Sequence, residues 1–227
     1  SGMMSFYIND QFVWSMPNRS LMGSRAGYMI DGKMEVEVSS LEVLELQAMP
    51  DIFAEHFDDN SRGWVVTASD SAFLMMGKGR MRMKHQKGAA QSYKLREILV
   101  NPERDFEIEA HMKQVSGSQE FGYGIGWAMK DDKNGYAFMI RSLGSFSVRK
   151  IENGQVRALV DWTPSNQTLY LRGTPNKLVI RKTGLRYNFY LNDIWVAEVP
   201  FVNMPGQQVG FALDGEQLIE LDFLAVR

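Results

Sequence analysis

Residues able to do chemistry gather in three places along this 227-residue chain. Asp105, Glu107 and Glu109 recur at period two with Phe106, Ile108 and Ala110 between them. An extended backbone therefore puts the carboxylates on one face and the apolar side chains on the other. Retaining glycoside hydrolysis uses two carboxyl groups about 5 Å apart, one as nucleophile and one as acid, and neighbours two apart on a strand come near that spacing. Glu107 and Glu109 are thus the candidate catalytic pair of a hydrolase; read more plainly, they are acceptors on a polar strand face. Gly122, Gly124 and Gly126 alternate with Tyr123, Ile125 and Trp127, giving one bulky face and one of nearly bare backbone. Glycine weakens a strand interior, so this strip predicts that a ligand or another part of the protein lies close against it. Arg141, Arg149 and Arg157 fall on three successive strand-like runs and are expected to line up beside the strip. Glu107, Glu109, the three glycines and the three arginines together form the candidate ligand-binding groove, with Tyr93, Trp162 or Trp195 as the aromatic platform on which a sugar ring stacks.

Other chemistries find less support. Asp58, Asp59 and Asp222, with Asn60, are candidates for a structural calcium site, because calcium takes oxygen ligands and the ends of a sandwich lie side by side; no other cofactor is expected. His56, His85 and His111 lack metal-ligand spacing. With no cysteine in the chain, thiol nucleophiles, disulfides and cysteine-bound zinc are excluded. Neither a nucleophile elbow nor a phosphate-cradling loop occurs. Lys78, Arg80, Arg82, Lys84 and Lys87 form a basic run, expected to be a solvated strand face paired with the acidic stretch from Glu35 to Asp59. A net charge of -2 provides no global field for nucleic acid. No apolar run approaches the roughly 18 residues of a membrane helix. Ser1 and Gly2 ahead of Met3 read as a remnant of cloning, so the compartment stays open between cytoplasmic and secreted with a signal removed.

The elements that must position these residues are strands. Short apolar-alternating runs bounded by turn residues recur from Gly63 to Val226, among them Asp105 to Gln114, Gly122 to Met129, Tyr136 to Ser142, Phe146 to Ile151 and Arg157 to Trp162. Their number, with almost no helix pattern, predicts an all-β, two-sheet antiparallel sandwich. Residues 1–48 read as a small β-rich segment, with hairpins about Asn9-Asp10 and Asp31-Gly32 and an ambiguous helix or strand over Ser40 to Gln47. Too short for its own core, this segment is expected to pack on the main domain through Phe12, Trp14, Val36 and Val38. Ala48 to Glu55 reads as a linker, and the main domain as residues 57–227.

HFDDNSRGW from His56, DFEIEA from Asp105, GYGIGWAMKDDKNGYAFMI from Gly122, LVDWT from Leu159, NKLVIRKTG from Asn176, FYLND from Phe189 and VGFAL with IELDFLAV near the end form an ordered pattern. That pattern resembles the concanavalin A-like lectin/glucanase superfamily, in particular its bacterial laminin-G-like jelly rolls, over about residues 57 to 227. The resemblance implies two curved antiparallel sheets with the concave face as ligand surface. It also implies a glycan or a protein or peptide as partner. Glucanases of the superfamily carry a Glu-x-Asp-x-Glu order where this chain has Asp-x-Glu-x-Glu. The function expected is accordingly a non-catalytic, carbohydrate-binding module; the alternatives are a glucanase-like hydrolase and a protein-interaction or structural domain.

Overall fold

The computed structural model of the protein describes residues 3–8, 11–17, 27–39, 50–65, 72–85, 91–166, 175–201 and 203–227. These residues form sixteen strands and no helix, and the chain divides into two compact units, Ser1–Pro50 and Asp51–Arg227.

In the first unit, β1 (Met3–Ile8) and β2 (Gln11–Pro17) pair as the antiparallel hairpin expected about Asn9-Asp10, with Ile8 opposite Gln11. The second expected hairpin does not form. Residues 27–39 contain no strand, and Tyr28, Met29, Ile30, Met34, Val36 and Val38 are exposed. An isolated two-stranded ribbon is marginal in water, and two alternating apolar residues before Asp31-Gly32 with three after it cannot hold one. The Ser40 to Gln47 segment and the side chains of Phe12 and Trp14 lie outside the described residues.

The second unit contains β3 (Phe53–Glu55), β4 (Ala72–Met76), β5 (Met81–His85), β6 (Gln91–Glu97), β7 (Phe106–Gly117), β8 (Gly122–Asp131), β9 (Asn134–Arg141) and β10 (Ser145–Glu152). It continues with β11 (Gln155–Pro164), β12 (Asn176–Thr183), β13 (Arg186–Leu191), β14 (Ile194–Pro200), β15 (Gln208–Asp214) and β16 (Gln217–Val226). One antiparallel sheet has six strands in the order β11-β10-β9-β8-β15-β6; the other runs β14-β13-β12-β7-β16-β5-β4, with β3 also paired to β16. β16 organises the second sheet: β7 follows it along one side, while β5 takes its first half and β3 its second half on the other.

Alternate residues of both sheets fill the space between them. Tyr123, Ile125 and Trp127 from β8 meet Phe106, Ile108 and Ala110 from β7 in one core. Trp127, wholly buried, stacks on Tyr136 and meets Tyr187 and Phe189 edge-on, with centroids 5.4, 5.6 and 5.5 Å away.

Two boundaries differ from the sequence reading. The supposed linker supplies β3, and the buried carboxylate of Glu55 accepts hydrogen bonds from Phe57 N (2.9 Å) and Trp64 Nε1 (3.1 Å). The strand expected from Gly63 is absent at residues 63–65, because Asn60 takes up the backbone of Trp64, accepting from its N–H and donating to its carbonyl; residues 66–68 lie outside the description. β11, an edge strand among those described, pairs with β10 through two register shifts, at Phe146/Val148 and at Val148/Arg149.

Candidate functional site

Strand pairing sorts the outer face of the six-stranded sheet into rows, since directly opposed residues share a face. One row reads Tyr93, Ala212, Gly124, Met139, Ser147. The next reads Leu95, Gly210, Gly126, Ala137, Arg149, Ala158, and Gly122 pairs with Arg141 at the other end. The floor is therefore backbone and small side chains, as the glycine strip implied. Ala137, Met139, Ile151 and Ala212 form a buried cluster against which Tyr93 and Trp162 pack.

What lies against the glycines is the protein itself. Nη1 of Arg149 reaches both carboxylate oxygens of Asp214, at 3.1 and 3.0 Å. These residues come from β10 and β15, three strand spacings apart, roughly 14 Å along a flat sheet. An arginine and an aspartate cannot close that gap unless the face is concave. Trp162 makes a comparable reach from β11: a Cβ placed on Gly122 of β8 would stand 3.0 Å from its ring and 2.7 Å from Asp214 Oδ2. A side chain at residue 122 would have to push the Asp214 carboxylate and the Trp162 ring aside. A Cβ at Gly126 would meet Leu95 and Tyr93 at ordinary contact distance, 3.6 Å. Burial, then the charge of Asp214, push the Tyr93 hydroxyl up from its ordinary value, with Arg149 opposing. The result is a concave surface rimmed by half-buried Tyr93 and Trp162, with a fixed guanidinium-carboxylate pair across its middle.

The structure separates the other candidates. Glu107 and Glu109 do not join the glycine strip; they project from β7 on the outer face of the other sheet, because Phe106, Ile108 and Ala110 turn into the core. There they meet cations. Arg181 binds Glu107 through Nε (2.8 Å) and Nη2 (2.6 Å), while Nη1 of Arg227 bridges Glu107 (3.0 Å) and Glu109 (2.7 Å). His111 Nε2 lies 2.8 Å from Glu109. That contact, aided by Arg227 and Lys177 against the opposing effect of burial, holds the Glu109 carboxyl down at about 2.

Arg157 also leaves the predicted line. The tight turn at Asn153-Gly154 pairs Glu152 with Gln155, Ile151 with Val156 and Lys150 with Arg157, so Arg157 stands opposite Lys150 rather than Arg149, on the reverse face, where it lines a cleft with Lys150, Glu152 and Asn153. Trp195 belongs to β14 of the other sheet and donates to Asn188.

Asp58, Asp59 and Asp222 have separate local roles. Asp59 Oδ1 accepts from Ser61 N, the Asp58 carbonyl accepts from Lys78 N, and Asp222 lies 3.8 Å from His111 Nδ1. Among the described residues no three acidic or histidine side chains are grouped to hold a metal ion. In the basic run, Arg80 and Arg82 pair with buried Glu220, which Lys113 also binds. Asp214 was missed. The alternation of Val209, Phe211 and Leu213 into the core places Ala212 and Asp214 on the glycine face, and that parity was the available signal.

No protein-family model matches the chain, and no curated protein matches it significantly. Solved structures do match. The chain is similar to the β-glucanase of Bacillus licheniformis, with 10% identity over 79% of this chain and 99% of that one and a TM-score of 0.53. It is similar to a galectin-like-fold protein of unknown function from Bacillus subtilis, with 10% identity, coverage of 80% and 97%, and a TM-score of 0.53. A third likeness is to the CBM2 module of the evolved Dit of Lactobacillus casei BL23 phage J-1, with 13% identity, coverage of 78% and 94%, and a TM-score of 0.51. At such identities the likeness is one of architecture, and that architecture is the concanavalin A-like jelly-roll sandwich.

Proposed function

We propose that the protein is a non-catalytic carbohydrate-binding module whose ligand lies on the concave face of the six-stranded sheet. The observation that carries this reading is the Arg149–Asp214 pair held across a backbone floor beside Trp162. Vicinal sugar hydroxyls donate and accept at once, which a fixed guanidinium beside a carboxylate answers, and an indole supplies apolar area for the ring's C–H face. Among proteins of similar architecture, one is named for a CBM2 module and one is a β-glucanase, so the fold accommodates carbohydrate chemistry in more than one form.

Hydrolysis through Glu107 and Glu109 is the weaker reading. A carboxyl held at about 2 stays ionised at neutral pH and donates no proton to a leaving group, while Glu107 is occupied by two arginines.

Affinity electrophoresis through gels containing β-glucans, xylan, galactan and fructan tests the proposal, with reducing-sugar release assayed in parallel. Retardation without release is expected. Trp162→Ala and Asp214→Asn should each weaken retardation at least tenfold, whereas Arg157→Ala, altered on the reverse face, should not. If no glycan retards the protein, or if sugar is released and Glu109→Gln abolishes that release, the proposal fails.

A further inference from the structure

Arg141 is the site's unanswered charge. It ends β9 opposite Gly122, and its guanidinium carbon stands 3.8 Å from the centroid of the Trp162 ring. Arg149 lies 4.9 Å from the same ring, so two cations share one indole. Their situations differ. Arg149 is neutralised by both oxygens of Asp214. Arg141 forms no ion pair with any described residue, and its Nε is buried without a hydrogen-bond partner. Burial and the neighbouring Arg149 both weaken its hold on its proton, partly offset by the charges of Asp214 and Glu120. Glu120 is exposed, and Asp214 is already engaged.

Burying part of a cation without a counter-charge is unfavourable, and a second cation beside it adds to the cost. Asp214 is spent on Arg149 and Glu120 acts only from the exposed surface, so the charge on Arg141 has no ion-pair partner among the described residues, and its guanidinium carbon stands over the Trp162 ring. A stacked guanidinium still presents its N–H groups edgewise, and that planar fork matches the two coplanar oxygens of a carboxylate better than the tetrahedral oxygens of a sulfate.

Resting on the carbohydrate-binding reading above, we propose that the concave face selects glycans containing uronic acid, with Arg141 pairing to the sugar carboxylate while Arg149, Asp214 and Trp162 hold the ring. The partner is thereby narrowed from carbohydrate in general to carboxylate-bearing carbohydrate.

Polygalacturonate and its fully methyl-esterified form share a backbone and differ in the carboxylate, so they are the decisive pair, with laminarin as neutral glycan and dextran sulfate as sulfated one. Each is offered to the wild-type protein, to Arg141→Gln and to Arg141→Lys, after circular dichroism and melting have shown that the variants fold. The wild type should bind polygalacturonate at least tenfold more tightly than the ester. Arg141→Gln should erase that difference, and Arg141→Lys, which keeps the charge but not the fork, should retain part of it. Equal binding of acid and ester, or binding of laminarin alone, overturns the uronate assignment and leaves carbohydrate binding standing. Retention of dextran sulfate but not polygalacturonate overturns it in favour of sulfate. A preference that survives Arg141→Gln but is lost in Arg80→Gln/Arg82→Gln places the anion at the β4–β5 hairpin, and this too overturns it. Binding to none of the four polymers overturns the inference, and the reading beneath it falls as well only if xylan, galactan and fructan also fail to retard the protein.

Discussion

Glu109 shows how one carboxyl couples stability to pH. Its hydrogen bond to His111, together with Arg227 and Lys177, brings it from the ordinary 4.5 down to about 2 in the folded protein. Between those two values the unfolded chain binds a proton that the folded protein refuses, so acid favours unfolding across that window. Glu109→Gln should lower stability at pH 7 by about 1 to 3 kcal/mol, with the deficit shrinking as pH falls from about 4.5 toward 2. Urea unfolding of both proteins at pH 7, 4 and 3 measures it; a deficit constant with pH contradicts the assignment. The glycines of β8 also differ among themselves. At Gly124 an added Cβ would stand 1.9 Å from the carbonyl oxygen of Phe138, a backbone atom that cannot step aside, whereas at Gly122 it meets side chains. Gly124→Ala should therefore destabilise by about 2 to 4 kcal/mol. Gly122→Ala should fold with a smaller loss yet bind glycan poorly, because it pushes Asp214 and Trp162 from their places. Paired melting and gel-retardation measurements separate the two.

At the scale of elements, β3 pairs with β16 and is clasped to the segment that follows it by a single carboxylate. Glu55 accepts from Phe57 N and from Trp64 Nε1, and without it two buried donors lose their partner. Glu55→Ala should cost about 2 to 5 kcal/mol in chemical denaturation and weaken the near-ultraviolet signal of Trp64; a change below about 0.5 kcal/mol rules out the clasp. β3 also marks a limit of the sequence. Three residues around Ala54 carry too little alternation to announce a strand, and Pro50 just before them suggested a linker. Longer strands announced themselves: β7, β9, β12 and β13 alternate inward and outward throughout, β8 does so as far as Trp127, and FYLND at Phe189 turns at Asn192 and Asp193 with positive φ, as its composition required. Parity along a strand shows which side chains share a face, and on that basis the glycine strip was legible. It does not show which of two sheets a strand joins. Glu107 and Arg149 both point away from the core, and only the strand order places them on opposite sides of the molecule. Nor does even spacing in the sequence carry parity across a hairpin: the tight turn at Asn153-Gly154 sets Arg157 opposite Lys150, on the face away from Arg149.

For the whole molecule, both sheets of the sandwich are made from strands within Asp51–Arg227. A chain beginning at Asp51 should fold cooperatively and keep an all-β circular dichroism spectrum. The expectation that residues 1–48 pack on the main domain is checked in the same experiment: a lower melting temperature and increased dye binding on truncation support it, and unchanged values refute it. No helix among the described residues is long and apolar enough to cross a membrane. The margin of the six-stranded sheet carries a different consequence. β11 is ten residues long and largely exposed, and a long flat margin of this kind invites a foreign chain to continue the ladder. Its two register shifts spoil the even spacing of free N–H and C=O groups that such templated growth requires, Pro164 removes a donor at one end, and Arg157 sets a charge near the other. The irregular half of β11 thus guards the protein against polymerising through its own sheet, while the regular half beside the turn carries Arg157.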